Sequence, residues 1–288
     1  MKIKFTIGLV IVASINCNNQ KLEPSENDCQ RPIRTNSENV RQINIFDISD
    51  LKNNTSKVKF VSERLISIKE NKLDIGDSTC YFFNKLGQLI KKTTFTNTDK
   101  LKYLTEYEYN EQYQLMAMNS KGFDGESPFN IFYSYNNLGQ LSSTQTKSSY
   151  GNENNFFVYD TLNYLVKKET RNLNRVTDYS YDCRGNLVME LILSDKGDTI
   201  TKYDFIYNQL SQCIESKYSG EPINCVGRYR WVMKYNKIGD LVEKTSNGFT
   251  IKYQYEYDNA DNWTKQFSFY NEETSPNFLT RRQILYYE

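Results

Sequence analysis

The side chains that most often do chemistry in proteins are missing or poorly placed in this chain. Its 288 residues contain no histidine, which removes the commonest general base, the Ser–His and Cys–His pairs and every metal site with an imidazole ligand. The carboxylates are scattered, and no two of them stand out as a general acid and base. No phosphate-binding loop, dinucleotide fingerprint or calcium loop is present. The sequence therefore predicts no catalytic residues, no metal and no cofactor, and a protein that is not an enzyme.

Six cysteines are the remaining reactive side chains. None of them forms a Cys-x-x-Cys pair, so their spacing does not support a zinc site. Cys213 and Cys225 flank a predicted turn at 219–222, but their offsets from that turn match a disulfide across one hairpin poorly. We expect the thiols after Cys17 to be buried or incidental rather than bonded, and they are Cys29, Cys80, Cys183, Cys213 and Cys225.

The balance of charge excludes a further class of function. With 36 Lys and Arg against 35 Asp and Glu, the formal net charge is +1, whereas nucleic-acid-binding proteins need a basic surplus. Aromatic residues make up 14% of the chain, although the mean hydropathy is only -0.70. A polar chain rich in aromatic residues fits half-buried sheet surfaces better than helices.

The segment from Met1 to Cys17 has the pattern of an export signal. Lys2 and Lys4 precede an apolar stretch from Phe5 to Ile15, and Cys17 follows closely. This stretch is too short to cross a bilayer, which takes about 20 residues. The order resembles the signal of bacterial lipoproteins, in which the cysteine is acylated and becomes the first mature residue. The resemblance implies a lipid anchor at Cys17, and a plain secretory signal with an incidental cysteine is the alternative.

Residues 18–55 are polar, contain Pro24 and Pro32 and have no apolar period. Such a segment cannot bury enough apolar surface to order itself. We interpret it as a tether that holds the domain of residues 56–288 away from a membrane. The sequence thus predicts a lipid-anchored protein of the cell envelope, at the outer membrane, and leaves open whether it faces the periplasm or the outside.

One repeated motif dominates the remaining chain. It begins with two aromatic residues separated by one residue, and Asn or Asp follows directly. The third residue after this Asn or Asp is usually Gly and the fifth is usually Leu, as in YSYNNLGQL from Tyr133. Eight copies follow one another at nearly regular intervals along the chain. Their Asn or Asp positions are Asn84, Asn110, Asn136, Asp160, Asp182, Asn208, Asn236 and Asp258.

The motif is typical of a β-hairpin loop. Asn or Asp at the first turn position accepts hydrogen bonds from backbone two residues on, and the residue three later takes the left-handed conformation that glycine adopts most easily. A type I turn followed by a left-handed residue makes a hairpin loop with a bulge. We expect Tyr113 and Ser211, which replace this glycine, to distort their loops. Four copies keep the glycine, as Gly87, Gly139, Gly185 and Gly239.

This loop places the residue before Asn or Asp opposite the residue five positions after it. All eight facing pairs are large and apolar, from Phe83 with Leu89 to Tyr257 with Trp263. One face of the sheet is then a layer of aromatic residues and leucines, and the other face is largely polar. Apolar residues on that second face form a candidate binding patch, which consists of Phe82, Val158 and Ile206.

Each repeat holds two strands and two turns, which predicts an all-β fold. We expect an antiparallel meander of about eight tandem β-hairpins, about 16 strands in all, with no substantial helix beyond the signal segment. The meander should form an extended, curled sheet or ribbon. The segment from Arg281 to Glu288 looks like a last strand that terminates this sheet.

The motif resembles the YD repeat of Rhs proteins, in the short lipoprotein form common in Bacteroidetes, and the resemblance covers residues 79–263. In large members of that family the repeats form a β-hairpin ribbon that spirals into a shell around a cargo polypeptide, and they are often described as carbohydrate- or surface-associated. Eight repeats are too few for a closed shell, which argues against encapsulation here.

Two classes of function fit these observations. The first is a non-enzymatic envelope lipoprotein that presents a repetitive β surface to a glycan or protein partner and contacts the membrane through its anchor. The second is a structural or toxin-system accessory protein related to Rhs shells. Repetition favours binding over catalysis, because repeat arrays present extended surfaces whereas active sites need one irregular pocket.

Lipidation can be tested directly at Cys17. The full chain, expressed in a bacterial host with labelled fatty acid, should take up the label and partition into detergent. Cys17→Ala should lose the label, because the thiol is the atom that is acylated. A Cys17→Ala protein that still takes up label, or wild type released freely into the periplasm, contradicts the lipid anchor.

Overall fold

The computed structural model of the protein describes residues 31–34, 57–69, 72–123, 125–220 and 229–288. These residues form 18 antiparallel strands and no α-helix, which confirms the all-β prediction, and a 3-10 turn at Arg171–Leu173 joins two of the strands. No helix in the described ranges has the length and apolar composition needed to cross a bilayer. In chain order the strands are β1 (Val58–Lys69), β2 (Lys72–Phe83), β3 (Leu89–Phe95), β4 (Leu101–Tyr109), β5 (Leu115–Gly122), β6 (Phe129–Tyr135), β7 (Leu141–Ser148), β8 (Gly151–Tyr159), β9 (Leu165–Thr170), β10 (Arg175–Tyr181), β11 (Leu187–Leu193), β12 (Thr199–Tyr207), β13 (Cys213–Gly220), β14 (Tyr229–Tyr235), β15 (Leu241–Ser246), β16 (Phe249–Tyr257), β17 (Trp263–Tyr270) and β18 (Phe278–Tyr286).

The sheet closes into an 18-stranded barrel. Every strand pairs with the next strand along the chain, and β1 also pairs with β18 from Val58 opposite Tyr286 to Ser67 opposite Phe278. The prediction of an open, curled sheet or ribbon is therefore wrong. The C-terminal segment expected to terminate the sheet lies in β18 and closes the barrel instead. It pairs with the free edge of β1, and this pairing satisfies the backbone hydrogen-bonding groups of both edge strands.

A buried ion pair secures the closing seam. Arg282 in β18 donates from Nε to Glu63 Oε1 in β1 at 2.7 Å. Its guanidinium lies 3.5 Å from the centre of the Trp263 ring in β17. Three strands are joined at this point, and removing one charge would leave the other uncompensated, at a cost of about 3–5 kcal/mol.

The eight motif loops have the predicted conformation. In each loop the Asn or Asp carbonyl accepts from the N–H three residues later, and the side-chain Oδ1 accepts from the N–H four residues later. All eight predicted facing pairs are present, each beside a bulge. Tyr113 and Ser211 adopt φ of 61° and 57°, within the left-handed range of the other loops. The distortion expected at these two positions is not seen.

A tyrosine hydroxyl links each of several hairpins to the hairpin before it. The second aromatic residue of the motif donates its hydroxyl to the backbone carbonyl of the residue at the Leu position of the preceding motif, as Tyr135 does to Leu115 at 2.9 Å. This position is Tyr in seven copies and Phe only at Phe83, in the first copy, which has no motif before it. The other tyrosines that make the link are Tyr109, Tyr159, Tyr181 and Tyr235.

The motif loops all lie at one end of the barrel, which we call the motif-loop rim. The eight hairpins β2–β3 to β16–β17 alternate in direction with the connections at the opposite rim. The sheet also begins and ends at the motif-loop rim, where the Tyr287 N–H donates to the Lys57 carbonyl at 2.6 Å. Lys57, which precedes the first strand, therefore lies at this rim.

The two buried clusters of the inner wall lie on one half of the barrel, β1–β9. One buried cluster lies on β1–β3, with Val61 and Tyr81 at its centre, and a second spans β5–β9 around Leu141 and Leu165. Along β11 no residue is fully buried. An eight-stranded barrel is just filled by its own side chains, and 18 strands enclose a wider space. The half-buried inner residues of β10–β17 line this lumen.

The outer wall is polar and carries cross-strand ion pairs. Lys234 pairs with Glu243 at 2.7 Å, and Lys265 pairs with Glu256 at the same distance. Each such exposed pair contributes about 0–1 kcal/mol.

The tyrosine link predicts a specific loss of stability. Tyr135→Phe removes the hydroxyl bond to the Leu115 carbonyl, so the free energy of unfolding in urea should fall by about 1 kcal/mol. Tyr133→Phe is the matched control, because within the described ranges the Tyr133 hydroxyl donates to no protein atom and its loss should change stability little. Equal costs for the two substitutions would contradict the link.

Alanine substitutions at two loop glycines distinguish the cost of backbone strain from the cost of a steric clash. Gly185 and Gly239 have φ of 82° and 91°, so alanine at either position adopts a left-handed conformation at about 1–2 kcal/mol. At Gly185 the added Cβ would also lie 2.3 Å from the Tyr164 hydroxyl oxygen, whereas at Gly239 the nearest atom is 3.5 Å away. Gly185→Ala should lower the urea midpoint more than Gly239→Ala, and equal shifts would remove the role of Tyr164.

Candidate functional site

The structure does not bring the residues of the predicted outer patch together. Phe82 lies on β2, Val158 on β8 and Ile206 on β12, all on the outer wall. Val158 and Ile206 are 47% and 46% exposed, while the Phe82 ring packs against Phe60 with 5.0 Å between centroids. Five strands lie between the first two residues and three between the last two, so they do not form one patch.

The inner wall does bring aromatic residues together. Strand pairing places five residues directly opposite one another on five consecutive strands, β10 to β14. All five face the lumen, because they share the face of the first aromatic residue of the motif. We call this set the tyrosine row, and its members are Tyr179, Glu190, Tyr203, Tyr218 and Tyr229.

Three rings of the row are in contact, and all its members are partly exposed. The centroids of Tyr203 and Tyr218 are 5.2 Å apart, and those of Tyr218 and Tyr229 are 6.3 Å apart. Tyr229 is 42% exposed, and the others are half-buried. With strands about 4.8 Å apart, five strands give a row about 19 Å long. Tyr203, Tyr218 and Tyr229 form a continuous run of ring surface, which Glu190 separates from Tyr179, and a long, narrow ligand could follow this line.

Glu190 is the acidic member of the row. It stands between Tyr179 and Tyr203, and burial raises the pKa of its carboxyl, an effect that the Lys168 ammonium opposes. Burial also raises the pKa of the Tyr203 hydroxyl, and Tyr218 and Glu190 add to the rise. Burial also raises the pKa of the Tyr179 hydroxyl, so Tyr179 and Tyr203 stay protonated at neutral pH and can donate hydrogen bonds on either side of the Glu190 carboxyl group.

A second aromatic and basic pair borders the row on β14 and β15. Trp231 lies two residues after Tyr229 on the same strand face, and the Lys244 ammonium is 5.1 Å from the centre of its ring. Burial lowers the pKa of Lys244. This part of the wall therefore combines ring faces, hydroxyls, one carboxylate and an ammonium, a set suited to holding a polar ligand.

The described residues hold no group of three His, Cys, Asp or Glu side chains that could bind a metal ion. Cys80, Cys183 and Cys213 are free thiols, and burial raises the pKa of the Cys213 thiol to about 11, which keeps it protonated. Cys17, Cys29 and Cys225 lie outside the described residues, so the lipid anchor and the alternative disulfide to Cys213 stay predictions.

Analysis of the sequence missed most of the tyrosine row. Tyr203 lies two residues before Phe205 on the same strand face, and the facing pair of Tyr207 with Cys213 leads by its bulge to Tyr203 opposite Tyr218. That much could have been found. The pairing of Tyr218 with Tyr229 could not, because no motif spans the connection between β13 and β14.

No protein-family model matches the chain, and no curated protein matches it. Among solved structures it is similar to a chain of the Photorhabdus luminescens Tc holotoxin pore, at 13% identity over 74% of this chain with a TM-score of 0.37. It is also similar to a porin-like protein from Bacteroides uniformis, at 11% identity over 79% of this chain and 96% of that one, with a TM-score of 0.45. This chain spans 13% of the length of the Tc chain.

Proposed function

We propose that this protein is a non-enzymatic lipoprotein of the bacterial cell envelope that binds a glycan along the tyrosine row. The observation that carries the proposal is the run of rings and one carboxylate on five neighbouring strands of an unfilled inner wall. Sugar rings have apolar faces and hydroxyl edges, and tyrosine offers both a flat apolar face and a polar tip.

Closure of the barrel favours a glycan over an extended peptide. Peptides that bind sheets do so by pairing with an exposed strand edge. Each of the 18 described strands is already paired on both sides, so no edge is free for this mode. A ligand of the inner wall must then be held through side chains, as glycans are.

The protein would meet the membrane through its anchor. Charged side chains on the lipid face of a membrane barrel are destabilising, and the outer wall carries pairs such as Lys234 with Glu243. Acylation of Cys17 would place the barrel at the outer membrane, facing the periplasm or the outside, where envelope glycans are available on either side.

The alternative is a structural or toxin-system protein whose wall encloses a polypeptide. The observation that favours it is the closed wall itself, because a lumen can hold a cargo as well as a glycan. The two proposals differ in the chemistry of the ligand, so one binding experiment separates them.

Substitutions in the row should weaken glycan binding. Full-length protein is first screened against a panel of bacterial envelope glycans and then titrated with the best ligand. Tyr203→Ala and Tyr218→Ala should each lower affinity about tenfold or more, because rings at the centre of an interface carry most of its binding energy. Tyr150→Ala, at a 90% exposed ring on the opposite rim, is the control and should leave affinity unchanged.

Glu190→Gln tests the role of the carboxylate. Glycan affinity of the wild type should fall as the pH drops through the Glu190 pKa, which lies above the ordinary value, because the protonated acid is a weaker acceptor. The Glu190→Gln protein should bind with a flat pH profile. Unchanged affinity in all three row variants, or capture of polypeptides and no glycans, would contradict the proposal, and the second result would favour the alternative.

A further inference from the structure

A short segment of the predicted tether is bound to the barrel. Residues Arg31–Arg34, with the sequence Arg-Pro-Ile-Arg, lie against the motif loop between β8 and β9. The Tyr164 hydroxyl donates to the Pro32 carbonyl at 2.8 Å, Asn163 Nδ2 donates to the Arg34 carbonyl at 2.6 Å, and the Arg34 N–H donates to the Leu162 carbonyl at 3.0 Å. The backbone of the segment is thus held at three points.

Both arginine side chains of the segment are also held. Arg31 Nη2 lies 2.9 Å from Asp160 Oδ2, and the Arg31 guanidinium is 4.9 Å from the centre of the Tyr164 ring. The Arg34 guanidinium is 5.3 Å from the ring centres of both Tyr164 and Tyr181. Contacts between a guanidinium and a ring contribute about 0.5–2 kcal/mol each, and more where water is excluded.

The loop that binds the segment departs from the repeat at the position that makes the contact. In three of the other loops the residue four after the Asn links to the next loop, as Gln88, Gln114 and Gln140 do through Nε2. In the β8–β9 loop this residue is Tyr164, which is 2% exposed, and glycine at position 185 of the following loop leaves room for its hydroxyl. At the same position the other loops have Gln88, Gln114, Gln140, Asn186, Gln212, Asp240 and Asn262.

We propose that the β8–β9 loop is a built recognition site for an Arg-Pro-x-Arg peptide, and that its occupant is the chain's own segment Arg31–Arg34. The site supplies a carboxylate and a ring for the first arginine, two rings for the second and polar groups for the backbone between them. Because this is the one motif loop with tyrosine in place of Gln, Asn or Asp, the contact belongs to this loop and not to the repeat.

The contact sets how far the barrel can stand from an anchor at Cys17. Thirteen residues separate Cys17 from Arg31, and 39 separate Cys17 from Lys57. At about 3.5 Å for each residue, the bound segment limits the reach to about 50 Å, and its release extends the reach to about 140 Å. This consequence depends on the lipid anchor of the proposed function, whereas the recognition site does not.

Limited trypsin digestion of the full chain tests the site without any lipid or glycan. Trypsin cuts poorly between Arg31 and Pro32, so the informative cleavage is at the bond after Arg34. The rate of this cleavage is measured by mass spectrometry. Asp160→Asn keeps the turn, because Asn occupies this position in five other motif loops, and removes the charge that pairs with Arg31. Tyr164→Gln restores the residue found in four of the other loops. Asp182→Asn is the matched control in the next loop.

Cutting after Arg34 should be several-fold faster in Asp160→Asn, about tenfold faster or more in Tyr164→Gln and unchanged in Asp182→Asn. Urea unfolding of Asp160→Asn should match wild type and show that the barrel is intact. Equal cutting rates in all four proteins would overturn the site. Protection that disappears on dilution would show that the segment binds a second copy, and would overturn its assignment to the same chain.

The height of the barrel above a supported bilayer tests the consequence for the anchor. Neutron reflectometry of the lipidated chain should place the protein layer farther from the bilayer in Tyr164→Gln than in wild type. Faster trypsin cutting without a change in height would support the recognition site, but would contradict the claim that the bound segment sets the distance between the barrel and its anchor. A chain that takes up no lipid would instead contradict the proposed anchor.

Discussion

The hydrogen bond from a motif tyrosine to a backbone carbonyl of the preceding hairpin is made by five of the eight hairpins, and it reinforces the strand pairing that joins the hairpins into one wall. Each hairpin is defined by its own loop, in which Asn or Asp and a left-handed residue fix the register. The link to the neighbouring hairpin comes from strand pairing, from loop side chains such as Gln88 and from the motif tyrosines. The Tyr135 hydroxyl bonded to the Leu115 carbonyl, and its counterparts along the wall, supply this link on the inner face.

The regular wall makes its exceptions informative. Where the loop between β8 and β9 carries Tyr164 in place of an amide or carboxylate side chain, the rim binds Arg31–Arg34. Where the inner face is not filled, on β10–β14, the repeat leaves the tyrosine row open to the lumen. Both sites use tyrosine, because its ring packs against the wall while its hydroxyl or its face remains available.

Closure decides which kinds of partner the wall can take. An open ribbon would present two strand edges to any passing strand, and the barrel presents none in its described part. The buried pair of Arg282 with Glu63 lies where the first and last strands meet. A partner must therefore use the lumen, a rim or the outer face. These surfaces differ in chemistry, because tyrosine rings line part of the lumen and the outer face carries ion pairs.

The hairpins could be derived from the sequence alone. The spacing of Asn84 and its seven counterparts, and the facing pairs such as Tyr135 with Leu141, follow from turn geometry and strand alternation, which act over a few residues. For the same reason the inward face and part of the tyrosine row, Tyr203 opposite Tyr218, could be derived from one motif. Tyrosine at seven of the eight second aromatic positions was visible too, although its partner was not.

Closure, the pairing of Tyr218 with Tyr229 and the binding of Arg31–Arg34 depend on tertiary contacts. Each of these joins parts of the chain that no motif relates, and β1 meets β18 from the opposite end of the sheet-forming chain, as Glu63 and Arg282 do. Local patterns specify a strand and its pairing with the next strand along the chain. They do not specify which distant strand will pair with a strand that precedes the repeat. The prediction of an outer patch failed for the same reason. Its three residues share a face of the sheet, but their strands lie four and six positions apart around the barrel and are not neighbours.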